Sequence, residues 1–151
     1  MFEIDCYNPI TLSEIMPKKE SIFHYFEHIF GISMPFYVDK ILYEKEKYQT
    51  HVYVEYNKAL TFTSSCCKEE GCQIKSAHPR TWRALDIVNN QTYIHINLPS
   101  VKCKKCGKTQ DIDVPWARKA SNFTLEYEQK MVAYAESMSM SANSKTLEES
   151  D

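Results

Sequence analysis

The stretch Lys102-Cys103-Lys104-Lys105-Cys106-Gly107 constrains this chain more than any other. Two thiolates three positions apart on a tight turn can face one tetrahedral ion, and a glycine after the second lets the backbone take a positive φ and close around it. A half-site of this kind obliges the fold to bring a distant pair of ligands to the turn. Cys66, Cys67 and Cys72 can supply that pair. Cys67-x4-Cys72, with Gly71 before the second thiol, is the usable spacing, and Cys66-x5-Cys72 is looser. The expected ligands are therefore Cys67, Cys72, Cys103 and Cys106, the expected cofactor is zinc, and the choice between Cys66 and Cys67 stays open. His78, followed by Pro79 in a basic stretch, reads as exposed, and Cys6 as a bystander.

Two other uses of cysteine fit less well. A C-x2-C redox site sits at a helix start within a βαβ pattern, and no such pattern surrounds Cys103. Six cysteines could form disulfides in a secreted domain, but no charged n-region, apolar h-region and small-residue cleavage site precede them. A cytoplasmic location is the expectation.

With 151 residues, 43% hydrophobic and 13% aromatic, the chain can build a real core as one domain or two small ones. No apolar run reaches the roughly 18 residues of a membrane span, so no membrane partner is expected. Three glycines leave no G-x-G-x-x-G or G-x4-G-K-[ST] loop for phosphates. The net charge of −2 conceals a segregation: residues 71–119 hold nine Lys or Arg against three Asp or Glu, while the segments on either side are net acidic. Such a block suits a polyanion, and nucleic acid is the usual one, since each neutralised phosphate releases counterions. The competing reading is that these lysines offset the charge of the thiolates.

Local patterns predict an α+β fold. Ile22, Phe23, Phe26, Ile29 and Phe30 share one helix face, ended by Gly31 with Pro35 beyond. Strict alternation from Lys47 to Asn57 makes a half-buried strand, which Glu44 to Lys47 joins to the apolar run Phe36–Tyr43 as a hairpin. Trp82 to Val88 and Thr92 to Leu98 flank Asn89-Asn90-Gln91, a second hairpin bracketed by the cysteines, which is the layout of a zinc ribbon. Thr124 is positioned as the N-cap of a helix carrying Tyr127, Met131, Tyr134, Ala135 and Met138, with a break expected at Ser139-Met140-Ser141 and a second short helix after it. The expected divisions are 1–60 for helix and hairpin, 61–115 for the ribbon, and 116–151 for a connector and a truncated helix-turn-helix.

Trp82-Arg83-x-Leu85-Asp86, Thr92-Tyr93-Ile94-His95, the Pro99 to Gly107 segment with its C-x2-C-G, Val114-Pro115-Trp116-Ala117-Arg118, and Phe123-Thr124 with Glu128 follow one another in a characteristic order. In that order and spacing the chain resembles the amino-terminal zinc-binding region of the ISL-three family of insertion-sequence transposases, together with the start of their helix-turn-helix. The resemblance is strongest from Thr61 to Tyr134. It implies a module that recognises the inverted repeats of a mobile element ahead of a ribonuclease H-like catalytic domain of the DDE type, which these residues do not include. Family members keep a fuller C-x2-C at the first knuckle, where this chain has Cys66-Cys67 and then Cys72.

The expected function is thus double-stranded DNA binding without catalysis, with no catalytic residue. Arg80, Trp82, Arg83, Lys102, Lys104, Lys105, Arg118 and Lys119 are the expected contacts. The alternative is a protein-interaction module that dimerises, or that pairs with and inhibits a full-length transposase.

Overall fold

The computed structural model describes residues 19–148, with side chains described from residue 22 to residue 140; Cys6 lies outside this range. Helix α1 (Lys19–Phe30) turns Phe23, Phe26, Ile29 and Phe30 to the core and stops at Gly31, whose φ of +66° lets the chain reverse. Strands β1 (Phe36–Glu44) and β2 (Gln49–Tyr56) then pair antiparallel through a single 3-10 turn, Lys45–Lys47. Alternation in β2 buries Thr50, Val52, Val54 and Tyr56, as a strand with one wet face requires. The Glu27 carboxylate ties α1 to the sheet by accepting the Val38 N–H at 2.8 Å, beside the irregularity in β1 between Val38 and Lys40.

The long strands β3 (Ile74–Ile87) and β4 (Asn90–Lys102) form the second hairpin, and β5 (Thr109–Asp111) adds to the far end of β4. β2 lies parallel to β4, with Val52 opposite Ile94 and Val54 opposite Ile96, so the strand order is β1-β2-β4-β3. The expected division near residue 60 therefore runs between strands of one sheet. Its buried face carries Val38, Val52, Val54, Trp82, Ala84, Ile94 and Ile96, and α1 and the Val114–Ala117 connector pack against that core. Trp116, 1% exposed, sets its ring edge-on to both Phe36 and Trp82 at 5.1 and 5.5 Å. Each such buried side chain contributes roughly 1.5–3 kcal/mol, so this shared core is what fixes the hairpin against the ribbon.

Helix α2 (Leu125–Glu148) begins where expected, with Thr124 Oγ1 accepting the Tyr127 N–H at 3.4 Å and Glu126 and Glu128 in the first turn. It does not break at Ser139-Met140-Ser141: no glycine or proline interrupts it, and serine costs a helix only a few tenths of a kcal/mol. A single helix of 24 residues thus replaces the expected helix-turn-helix. Its side chains from Gln129 to Met140 are all exposed. No helix among the described residues is long and apolar enough to cross a membrane.

Candidate metal centre

Antiparallel pairing of β3 with β4 sets Ile74 opposite Val101, so the segment entering β3 and the segment leaving β4 lie at the same end of the ribbon. The first loop is closed by Phe62 and Cys72, which exchange backbone hydrogen bonds of 3.2 and 2.9 Å. Cys103 opens the second loop, with Gly107 at φ +74°. The two loops bring the sulfurs of Cys66, Cys67, Cys103 and Cys106 within 4.8 Å of one another, with Cys66 and Cys106 in contact at 3.3 Å. Four ligands at a Zn–S distance of about 2.3 Å would stand about 3.8 Å apart, so this spacing suits one tetrahedral zinc ion.

The ligand set differs from expectation in one member. Cys66 stands in the cluster and Cys72 does not. Cys72 belongs to the ladder at the base of the first loop rather than to its turn, so its side chain is directed into the core. It is fully buried there, and its thiol donates to the Glu69 carbonyl at 3.3 Å. Cys66, from the turn, lies toward solvent.

Hydrogen bonding divides the protons of the cluster unevenly. The Ser64 hydroxyl, then the backbone N–H groups of Cys106 and Lys105 with the Cys66 thiol, stabilise a thiolate at Cys103 and draw its pKa down to about 6 against the opposing effect of burial. Contact with Cys106, followed by burial and the Cys103 and Cys66 sulfurs, pushes Cys67 up to about 12. A dication would displace those protons and favour the thiolate at every position.

Residues 65–106 match the family model for the zinc finger of the transposases IS204/IS1001/IS1096/IS1165. This segment is a zinc ribbon similar to the one in those transposases. No curated protein and no solved structure gives a match. The matched segment spans both cysteine pairs, so the zinc ribbon and the sulfur cluster coincide.

The cations around the zinc ribbon fall into two groups. Arg83 is sandwiched at 5.3 and 5.4 Å from the rings of Tyr93 and Tyr127 and pairs with Asp86, so it serves the fold. Arg118 pairs with Glu128 at 2.7 Å, Arg80 donates to the Ser121 carbonyl at 2.8 Å, and Lys119 reaches Gln110 at 3.4 Å. Trp82, expected among the contacts, is 2% exposed with its ring against Trp116; in the core it has no face on which a base could stack. Lys102, Lys104 and Lys105 are exposed and make no ion pair among the described residues. Lys102 and Lys104 line a cleft of about 270 Å³ with Cys103, Gly107 and two residues outside the expected set, Gln73 and Lys75. The signal for Lys75 was its place three residues after Cys72, at the start of the strand that pairs with the Cys103 end of β4.

Proposed function

We propose that this chain binds double-stranded DNA through its zinc ribbon, as the end-recognising part of a transposase-type protein, and that it contributes binding rather than catalysis. The observation that carries this reading is the cleft of Lys75, Lys102 and Lys104 beside Cys103, with no acidic partner among the described residues. Lysines that merely offset thiolate charge would need to stand only near the sulfurs. Here Lys75 extends the row along β3, and Lys105 and Lys108 continue it around the exposed turn. A row of unpaired ammonium groups on a rigid ribbon is what phosphate contacts use to fix a protein on a duplex. Zinc then acts structurally, holding the two loops that carry the lysines.

Fluorescence anisotropy with labelled duplexes tests this. An inverted-repeat end should bind at least ~10³-fold more tightly than a scrambled duplex at equal salt. Equal affinity for both would remove end recognition and leave electrostatic attraction alone.

A second reading has its own observation. Met131, Tyr134 and Met138 lie on one face of α2 and are 41%, 51% and 69% exposed, a stripe suited to another helix. Self-association, or pairing with a full-length transposase, would cover it. Light scattering across a concentration series distinguishes the readings, since a strict monomer that binds DNA excludes self-association.

A further inference from the structure

The two loops of the zinc ribbon are copies of one turn. Ser64 N donates to Glu69 O at 2.9 Å as Cys103 N donates to Lys108 O at 2.9 Å. Lys68 N donates to Ser64 O at 3.1 Å as Gly107 N donates to Cys103 O at 2.9 Å. Lys68 and Gly107 share a left-handed backbone, with φ of 54° and 74°. Superposed in this register, Cys67 corresponds to Cys106, Ser64 to Cys103, and Cys66 to Lys105. The first turn therefore has a serine at the base position where the second has a cysteine.

We propose that Ser64 occupies a vacated ligand position, that Cys66 supplies the fourth thiolate from the turn in its place, and that Ser64 has become a positioning residue for the metal centre. The proposal rests on the four-cysteine reading of the site. Ser64 is 2% exposed, and its oxygen accepts the Glu69 N–H at 3.0 Å, which holds it at the base of the turn. This is the base position that Cys103 fills in the second turn. A serine hydroxyl is a poor zinc ligand beside thiolates, so Ser64 holds the turn that carries Cys66 and Cys67 while Cys66 completes the charge of the set. Replacing the base ligand by a turn residue also explains why no C-x2-C is present at this loop: Ser64-x2-Cys67 is that motif with its first sulfur exchanged for oxygen.

Zinc affinity by chelator competition, with the cobalt-substituted absorption spectrum as a count of thiolate ligands, tests the assignment on the full chain. Cys66→Ser should lose affinity by at least ~100-fold, and the cobalt spectrum should fall to three-thiolate intensity. Ser64→Ala should keep four thiolates but bind roughly 10–100-fold more weakly, as loss of a supporting hydrogen bond does. The double variant Ser64→Cys with Cys66→Ser should regain four-thiolate cobalt absorption and affinity no weaker than wild type. Cys66 is exposed, so its substitution leaves the core intact. Full affinity and a four-thiolate spectrum in Cys66→Ser would overturn the assignment, as would a double variant that binds no better than Cys66→Ser alone. A wild-type chain that takes up no zinc overturns the four-cysteine site itself, and with it this assignment.

Discussion

His51 Nδ1 and His95 Nε2 face each other at 2.8 Å across the parallel strands β2 and β4. At that distance one ring donates and the other offers a lone pair. Thr81 Oγ1 lies 2.8 Å from His95 Nδ1, and Glu44 Oε1 lies 3.6 Å from His51 Nε2. One direction suits all four groups: Thr81 donates to His95, His95 to His51, and His51 turns its Nε2–H toward the Glu44 carboxylate. This pair is the middle of a stack of rings on the open face of the sheet, with Tyr53 against His95 at 4.9 Å and Tyr93 against His51 at 5.5 Å. Lys40 and Arg83 close its two ends over Tyr53 and Tyr93.

The pair makes stability depend on acid. Burial first, and the charge of His51 second, lower the His95 pKa from its ordinary 6.5. The folded state thus holds fewer protons than the unfolded one, so the contribution of His95 is complete above about pH 6.5 and is lost as pH falls through that value toward the depressed one. Urea midpoints measured in steps from about pH 7.5 to about pH 5.5 should fall, and His95→Gln should flatten part of that fall. An unchanged slope in His95→Gln would contradict this role for His95.

Val88 is a strained residue in a useful place. The turn between β3 and β4 puts Val88 and Asn89 at φ of 48° and 61°, the pattern of a type I′ turn, and a β-branched residue is a poor occupant of that region. Val88→Asn should stabilise the zinc-loaded protein by about 1 kcal/mol, read as a higher denaturant midpoint at constant slope. The side chain is 84% exposed, so no packing is lost to offset the gain.

Trp116 clamps the connector onto the sheet. Trp116→Ala should cost about 3–5 kcal/mol, because the cavity would open between Phe36 and Trp82. Trp116→Phe should cost much less, since the buried Nε1–H of Trp116 has no hydrogen-bond partner among the described residues to lose. Thermal unfolding of the two variants checks the difference.

What the sequence makes legible here is local. Alternation in Thr50 to Tyr56, the Asn89 reversal and the Thr124 cap depend on neighbouring residues alone, and each forms its element within a residue or two of expectation. The parallel pairing of β2 with β4 joins residues about forty positions apart and leaves no local trace. Trp82 misleads because an aromatic ring beside arginines suits both a base and a core, and only its buried register opposite Ile94 decides. The exchange of Cys72 for Cys66 was hidden for a different reason. Spacing between cysteines says nothing of which one sits on a turn, whereas aligning Ser64-x2-Cys67-Lys68 on Cys103-x2-Cys106-Gly107 would have placed Cys72 outside it.

The salt dependence of duplex binding tests the central claim most directly. Each phosphate neutralised contributes about 0.9 to the slope of log affinity against log salt, so Lys75→Gln, Lys102→Gln and Lys104→Gln combined should lower that slope by about 2.7 while the zinc content stays unchanged. A variant that keeps both its zinc and the wild-type slope would contradict the account, because the cleft beside Cys103 would then carry no phosphate contact.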